Sequence, residues 1–307
     1  MRLKPSHDWA YYNRGRCFSE KRDTEKAIAD FQRLLTGDKS IELIEANPFG
    51  VQILGSSFPE PKHLGLVPIL ASVPITSFTF TPDNDKKTYS TNFSVVTVVK
   101  DESRQIVQKM SQNYAWTGPL DKIEAAKKEP VFFYREIDLA PGRYTIDAVA
   151  YDQPSGKTSV GSSNLDVTAT DASKLRLSSL ILLEHAERMT PQERKIDSPF
   201  HIDEVIVYPN LGQKVRKTFQ KQLAFFFTAW PAKDSTAPMK LTIDLLQGGK
   251  SLGQIPVDLK GPDDKGRIQY ASALPIDNFR AGVYELRVTV KDAQNSVSRS
   301  TQFTIEP

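Results

Sequence analysis

Residues that could act as nucleophiles, general bases or metal ligands are few in this chain and lie far apart. Nucleophilic catalysis needs a thiol or hydroxyl within hydrogen-bond reach of a base, most often a histidine. The single cysteine, Cys17, would have to use a distant histidine, and we interpret it as a half-buried structural residue. The four histidines are scattered, and no two have the spacing of metal ligands: His7, His63, His185 and His201.

Paired carboxylates could act as an acid and a base or hold a calcium ion. They occur at Asp83/Asp85, Asp203/Glu204 and Asp263/Asp264. The stretches TPDNDKKT and GPDDKG have the composition of exposed hairpin turns, and neither has the alternating oxygens and glycine of a calcium loop. His201 and Asp203 would share one strand face, but two ligands make no metal site. We therefore predict no catalytic, cofactor-binding or metal-binding residues, and a protein that is not an enzyme.

Helical periodicity occurs mainly near the start of the chain. In DTEKAIADFQRLLTG the apolar residues fall three and four apart, on one face of a helix: Ala27, Ile28, Phe31, Leu34 and Leu35. The surrounding sequence also suits one tetratricopeptide repeat, but a single copy cannot form the stacked array that such repeats need. A packed amphipathic helix is the interpretation we favour. A second, shorter helix is predicted over residues 119–129, which end at Pro130.

The rest of the chain has the pattern of β-strands. Runs of β-branched and aromatic residues follow one another at a spacing of about ten residues, separated by Gly, Pro and Asp turns, which is typical of antiparallel sandwiches or barrels. The run LAFFFTAW is predicted to be a buried central strand. We predict a mainly-β chain with a short N-terminal helical segment over residues 1–46. Two immunoglobulin- or fibronectin-III-like antiparallel sandwiches are predicted to follow, over residues 47–186 and 187–307.

Two strand segments of the chain align with each other without gaps. They are LAPGRYTIDAVAYD, residues 139–152, and FRAGVYELRVTVKD, residues 279–292. The matched residues include Gly142 with Gly282, Tyr144 with Tyr284, and Asp152 with Asp292. A glycine two residues before a tyrosine at a sheet corner is similar to the tyrosine corner of immunoglobulin-like sandwiches. The alignment therefore predicts that both tyrosines are buried at equivalent corners.

Composition excludes several classes of partner. The 307 residues contain 40 Lys and Arg against 37 Asp and Glu, a net charge of +3 that gives no reason to expect a nucleic acid or a membrane surface as partner. No apolar run reaches the ~18 residues that a membrane-spanning helix needs, so we expect no membrane insertion. The first residues lack the apolar core of a signal peptide. One cysteine excludes an intrachain disulfide and a cysteine-rich zinc site.

Several segments together carry a family resemblance. They are FTFTPDNDKKTYSTNFSVVTVVKD, FFYREIDLAPGRYTIDAVAYDQPSGKTSVGS, LRLSSLILL, VYPNLGQKVRKTFQKQLAFFFTAWP and GRIQYASALPIDNFRAGVYELRVTVKD. The chain resembles the C-terminal region of the von Willebrand factor A-related proteins of Acidobacteria. The resemblance implies a large extracytoplasmic protein in which an A-type α/β domain precedes this region. The segment MRLKPSHDWAYYNRGRCF resembles the end of that domain.

The adhesion motif of A-type domains is missing from this sequence. That motif, Asp-x-Ser-x-Ser, binds a metal ion that also coordinates an acidic group of the partner. The nearest string is DASKL, in which Asp171 and Ser173 are followed by Leu175 in place of the second serine. We interpret this string as a turn, and no metal ligand is carried over from the family.

The sequence leads to two functional hypotheses. The first is a non-enzymatic extracytoplasmic protein, periplasmic or secreted, that acts in macromolecular interaction or as spacer and presentation modules of a larger adhesion-type protein. Its partner would be a protein or a cell-surface macromolecule, bound by loops or a sheet edge. The alternative is a carbohydrate-binding accessory region of an enzyme system, in which exposed aromatic rings stack on sugars. The tryptophans lie in three separate regions: Trp9, Trp116 and Trp230.

Overall fold

The computed structural model describes residues 47–306 except residues 61, 64, 129, 196, 234 and 236. The predicted N-terminal segment, with its amphipathic helix and Cys17, lies outside the described residues. The described chain is mainly β, as predicted, and its strands form several sheets that are almost entirely antiparallel. It divides into two compact units. Within the described part, unit 1 comprises residues 47–55, 69–135 and 143–165, and unit 2 comprises the remainder.

The largest sheet of unit 1 is five-stranded. Its strands are β3 (Thr81–Asp83), β4 (Thr88–Lys100), β5 (Ile106–Pro119), β7 (Gly142–Asp152) and β8 (Lys157–Val167). Strand β4 pairs with β5 along one edge and with β3 and β7 along the other. The β4–β5 hairpin turns at DESRQ, where the sequence predicts a turn. After β5 come a 3-10 turn (Leu120–Lys122) and a one-turn helix, α1 (Ile123–Ala126), which confirm the short helix predicted there.

A smaller sheet contains β1 (Gln52–Gly55), β2 (Leu66–Val73) and β6 (Val131–Asp138). Within unit 1, β1 packs closely on the five-stranded sheet. A Cβ atom added to Gly55 would lie 2.2 Å from Cδ1 of Ile146 on β7 and 3.4 Å from Cδ2 of Leu165 on β8. Only glycine allows this approach, because any side chain at residue 55 would displace Ile146. One 3-10 turn, Ile75–Ser77, follows β2.

Unit 2 has two larger sheets. The first contains β9 (Arg176–Leu177), β10 (Ile181–Arg188), β11 (His201–Ile202), β12 (Val205–Pro209), β14 (Gln222–Trp230) and β17 (Ile268–Pro275). The second contains β13 (Val215–Arg216), β15 (Lys240–Gln247), β16 (Lys250–Asp258), β18 (Gly282–Lys291) and β19 (Ser296–Glu306). Strands β13 and β19 pair in parallel, and a 3-10 turn, Glu193–Lys195, lies between β10 and β11.

One apolar core fills the space between the two sheets of unit 2. Leu177, Phe225 and Phe227 of the first sheet belong to the same buried cluster as Leu286 and Val288 of the second. Strand β14 supplies LAFFFTAW, pairs with β10 on one side and β17 on the other, and is buried along most of its length. The prediction of a buried central strand is therefore confirmed.

Strand pairing assigns residues before residue 187 to unit 2, and the predicted domain border at residues 186 and 187 stays a prediction. Strand β9 and the first residues of β10 pair with β14, and Leu177 and Leu182 on these strands are buried in the core of unit 2. Backbone pairing and core packing therefore hold these strands in unit 2. The polar stretch 184–199 comprises the exposed end of β10 and the loop that follows it. The number of sandwiches stays a prediction.

The two aligned segments form equivalent strands, β7 and β18, at the same position in their hairpins. Their first residues, Gly142 and Gly282, have φ angles of 158° and 153°, a backbone conformation that side chains disfavour. Asp152 accepts a hydrogen bond from the Ser155 hydroxyl in the turn that follows β7. Asp292 accepts one from the backbone N–H of residue 295 in the turn after β18, at 2.6 Å. The backbone at the start of the repeat is thus shared, and each aspartate bonds to the residue three positions later, through a hydroxyl in one turn and a backbone N–H in the other.

The tyrosines of the repeat differ in burial. Tyr284 is buried, stacks on Phe303 with ring centroids 5.7 Å apart, and donates a hydrogen bond to the carbonyl oxygen of Arg280 at 2.8 Å. This geometry is that of a tyrosine corner. Tyr144 is only half-buried. The prediction of two equally buried corners is therefore wrong for Tyr144, because the aligned sequence does not specify what packs over each ring.

We expect Tyr284→Ala to lower the free energy of unfolding by about 3 kcal/mol or more, because it empties a filled core site. Tyr284→Phe, which removes only the hydroxyl, should lower it by about 1 kcal/mol. Tyr144→Ala should lower it by about 1 kcal/mol, since that ring leaves less of a cavity. Urea denaturation followed by circular dichroism measures all three, and equal losses for the two alanine variants would contradict the assignment.

Candidate interaction surface

The carboxylate pairs noted in the sequence lie in turns. Asp83 accepts hydrogen bonds from the backbone N–H and the ammonium group of Lys86, both at 3.0 Å, and these bonds lower the pKa of Asp83. Asp263 accepts bonds from the backbone N–H and Nε of Arg267, both at 2.9 Å. Asp203 has a φ of 48° and forms, with Glu204, the two-residue turn between β11 and β12. The predicted hairpin turn is confirmed for TPDNDKKT, which joins the paired strands β3 and β4. GPDDKG is a turn but not a hairpin, because it connects β16 to β17 in a different sheet. The expectation that His201 and Asp203 share a strand face is wrong, because Asp203 lies in the turn after β11.

The histidines within the described residues lie apart from one another. Nδ1 of His63 is 3.1 Å from a carboxylate oxygen of Asp138 at the surface. The ring of His185 stacks on Tyr208, with centroids 4.2 Å apart. His201 accepts a hydrogen bond through its carbonyl oxygen rather than its ring, from Gln269. Across the described part of the chain, no group of three His, Cys, Asp or Glu side chains is placed to hold a metal ion. Cys17 and His7 lie outside it.

The string DASKL forms a turn stabilised by its own aspartate. Oδ1 of Asp171 accepts hydrogen bonds from Oγ of Ser173 at 2.7 Å and from its backbone N–H at 3.0 Å. These bonds lower the pKa of Asp171, the side-chain bond contributing most. Leu175 is buried in the core of unit 2. The predicted turn is confirmed.

An ion-pair cluster lies at the end of β19 in unit 2. Glu306, the last residue of β19, accepts a hydrogen bond from Nζ of Lys214 at 2.6 Å and one from Nε of Arg216 at 3.3 Å. The Lys214 bond contributes most to holding the pKa of Glu306 below its ordinary value. The contact lies where β13 pairs with β19, so its role is to hold the short parallel strand in place.

Three exposed aromatic side chains lie on strands β5 and β6 in unit 1. Trp116 of β5 is 40% exposed, while Phe132 and Tyr134 of β6 are 58% and 38% exposed. We call these three residues the aromatic surface. Phe132 and Tyr134 are two residues apart and therefore lie on the same side of β6, while Val131 and Phe133 on the other side are buried. Trp230 is buried, and Trp9 lies outside the described residues.

Trp116 packs against two buried aromatic rings, and one of these residues also bonds to β6. The Trp116 ring meets those of Phe93 and Tyr114 edge to face, with centroids 5.3 and 5.8 Å away. The Tyr114 hydroxyl donates a hydrogen bond to the carbonyl oxygen of Phe132 at 3.2 Å, which links β5 to β6. Burial raises the pKa of Tyr114, so its phenol stays a neutral donor.

Arg135 makes a second link between β5 and β6. Its Nη2 donates a hydrogen bond to Oε1 of Gln112 at 2.8 Å, and its Nη1 donates one to the carbonyl oxygen of Tyr134 at 2.7 Å. The guanidinium carbon lies 4.9 Å from the centroid of the Phe133 ring, a cation–π contact. The exposed rings are therefore held on two linked strands. The Arg135 guanidinium lies on the Phe133 side of β6, opposite to the side that carries Phe132 and Tyr134.

Sequence reasoning identified Trp116 but missed Phe132 and Tyr134. In VFFYREID the residues on both sides of the strand are apolar or aromatic, so alternation does not indicate which side faces the core. A run of four apolar and aromatic residues at a strand edge is the available signal, and it is ambiguous without the neighbouring strands.

Comparisons with known proteins identify no family. No protein-family profile matches the chain, and no curated protein matches it. Among solved structures, the fibronectin(III)-like modules of Clostridium thermocellum CbhA are similar at 14% identity, over 78% of this chain and 84% of that chain, with a TM-score of 0.21. So low a TM-score supports no argument about fold or function. Within the described residues, no helix is both long and apolar enough to cross a bilayer.

Glu306→Gln should destabilise unit 2 at neutral pH and have a progressively smaller effect in acid. The stabilising contribution of a carboxylate with a lowered pKa is fully present above its ordinary value of 4.5 and is lost as the pH falls through the lowered value. Urea denaturation of the wild type and the variant at pH ~7 and pH ~3 should therefore show a difference that closes in acid. Glu102→Gln in unit 1 is the control, and a difference that persists at pH ~3 would contradict the prediction.

Proposed function

We propose that this chain is a non-enzymatic, extracytoplasmic β-sandwich protein that binds a protein or cell-surface macromolecule. It would act as spacer and presentation modules of a larger adhesion-type protein. The aromatic surface is the observation that supports binding. The segments similar to von Willebrand factor A-related proteins support the extracytoplasmic location and the larger adhesion-type protein.

The composition of the aromatic surface is that of a binding site. Trp, Tyr and Arg are the residues that most often dominate the energy of protein interfaces. Here Trp116, Phe132 and Tyr134 are exposed, and Arg135 bonds to the backbone of Tyr134. Scattered single apolar residues are ordinary on protein surfaces, whereas a cluster is typical of an interaction site.

The rigidity of the aromatic surface also favours binding. Ordering mobile side chains on binding costs conformational entropy, which weakens association. Trp116 is already packed against Phe93 and Tyr114, and Arg135 is fixed by its bonds to Gln112 and to the backbone. Little further side-chain freedom is lost when a partner covers these residues.

A bead adhesion assay tests this function. Beads coated with the full chain should adhere to intact acidobacterial cells, and the double variant Phe132→Ser/Tyr134→Ser should reduce adhesion about tenfold or more, because it removes two exposed rings from the contact. Phe219→Ser is the matched control, since Phe219 is 81% exposed but lies in unit 2. Circular dichroism of the variants confirms that they fold.

Two results would overturn the proposal. In the first, wild-type beads adhere no better than uncoated beads. In the second, the double variant and the Phe219→Ser control adhere equally well, in which case the aromatic surface is not the contact.

Carbohydrate binding is the second candidate, and the exposure of Trp116 favours it. The exposed indole ring of Trp116 provides a face on which a sugar ring stacks. Gln112, on the same side of β5, and Arg135, which bonds to it, provide polar groups. In native gels containing soluble cellulose, chitin or xylan derivatives, the full chain should migrate more slowly in at least one. Trp116→Ala should abolish the retardation and Phe219→Ser should not. Equal migration in all gels would exclude this candidate and leave the first.

A further inference from the structure

A lysine and an aspartate meet on the five-stranded sheet of unit 1 and are both buried. Lys100 is the last residue of β4, and Asp147 lies on β7, which pairs with β4 in antiparallel register. Asp147 is opposite Val98, two residues before Lys100, so both charged side chains lie on the same face of the sheet. The Lys100 side chain is 9% exposed and the Asp147 side chain 1%. Both groups are thus held away from bulk water.

The two side chains are in contact at their reactive ends. Nζ of Lys100 lies 2.6 Å from Oδ2 of Asp147, but these two atoms do not have the geometry of a hydrogen bond. Because Cγ of Asp147 is bonded to Oδ2, Nζ lies within about 3.8 Å of Cγ. That distance is close to the ~3–3.5 Å at which reacting atoms are held before a bond forms. A nitrogen nucleophile and a carboxyl carbon are therefore already placed side by side.

Two other lysine–carboxylate contacts have the same length but a different environment. Nζ of Lys214 is 2.6 Å from Oε1 of Glu306, and Nζ of Lys265 is 2.6 Å from Oδ1 of Asp197. Both contacts are hydrogen bonds, and all four side chains are at least 31% exposed. Water keeps such pairs charged, and an ammonium group has no lone pair with which to attack a carbonyl carbon. Burial and contact geometry distinguish the pair of Lys100 with Asp147.

Proton transfer within the buried pair generates a nucleophile. Two opposite charges lose hydration free energy when they are buried, and good hydrogen-bond geometry, which this contact lacks, is needed to offset the loss. Transfer of one proton from the Lys100 ammonium to the Asp147 carboxylate removes both charges. It leaves a neutral amine, which has a free lone pair, beside a neutral carboxylic acid. These are the reactants of amide formation.

Ser162 of β8 provides a donor for the carboxyl group. Its hydroxyl donates a hydrogen bond to Oδ1 of Asp147, the other oxygen of the same carboxyl group. A donor at this position polarises the carbonyl and stabilises the negative charge that develops on Oδ1 when Cγ is attacked. Ser162 is itself exposed, so water produced beside it can leave.

We propose that Lys100 and Asp147 form an intramolecular amide bond that cross-links β4 to β7. Nζ attacks Cγ and forms the C–N bond, while Oδ1 takes the developing negative charge next to the Ser162 hydroxyl. Two of the three ammonium protons pass to Oδ2, the Cγ–Oδ2 bond breaks, and this oxygen leaves as water. The third proton stays on the amide nitrogen, so no oxidant, reductant or other reactant is needed.

The cross-link stabilises unit 1 through the unfolded state. It closes a loop of the chain between residues 100 and 147, which lowers the conformational entropy of the unfolded ensemble in the way that a disulfide does. The single cysteine of this chain cannot form a disulfide internally. The proposal is independent of what the chain binds.

Mass spectrometry of the purified full chain tests the proposal. The intact mass should be ~18 Da below the mass of the sequence, because amide formation releases one water. A tryptic digest should contain a branched peptide in which residues 100 and 147 are joined. Lys100→Arg keeps the positive charge but removes the amine, so this variant should have the full mass of its sequence. Circular dichroism shows whether the variant is folded, and the branched peptide of the wild type decides the question if it is not.

The role of Ser162 is measured by the rate of cross-linking. After cell-free synthesis of the full chain, the fraction with the lower mass is followed over time. Ser162→Ala should form the cross-link about tenfold more slowly or less, because the donor to Oδ1 is lost. Ser163→Ala is the matched control, since the Ser163 hydroxyl donates to the carbonyl oxygen of Asn164 instead, and its rate should equal that of the wild type.

Three results would overturn the proposal. In the first, the wild type has the full mass of its sequence. In the second, the mass deficit persists in folded Lys100→Arg, which would assign the loss of water to another group. In the third, the branched peptide joins a different pair, such as Lys265 with Asp197. Equal rates for Ser162→Ala and Ser163→Ala would remove Ser162 from the reaction.

Discussion

Strand β4 imposes the constraint on which unit 1 depends, because it is buried on both faces. Its odd-numbered residues from Phe93 to Val99 lie on the face that meets β1, and Val96 and Val98 lie on the opposite face in a buried cluster with Val149 and Val160. A strand buried in this way needs packing partners on each of its faces. The glycine at residue 55 meets this requirement on one side, since it lets β1 approach Ile146.

The same packing explains why aromatic rings remain in water at the edge of unit 1. Tyr114 extends from β5 to the backbone of β6, and Arg135 returns from β6 to Gln112. These links hold β6 so that Val131 and Phe133 fill the interior, which leaves Phe132 and Tyr134 on the outer side. The exposed rings are thus a consequence of where the interior of the unit lies, and they are available to a partner.

Much of the fold follows from local sequence patterns. Turn residues such as Asp83, Asp171 and Asp263 bond to the backbone of their own turns, so a few neighbouring residues suffice to predict them. The burial of LAFFFTAW is equally predictable, because a continuous apolar run has no side that tolerates water. The membership of β9 and β10 in unit 2 was not predictable, since it depends on their pairing with the distant strand β14.

The sequence alone determined the mainly-β class, the turns, the short helix before β6 and the backbone equivalence of Gly142 and Gly282, because each depends on residues close together in the chain. Only the tertiary structure decided that Tyr284 is buried while Tyr144 is half-buried, and that Trp230 is internal while Trp116 is exposed. Burial depends on which remote strands pack over a side chain. Two strands with the same local pattern can therefore place the same residue type in a core or in water.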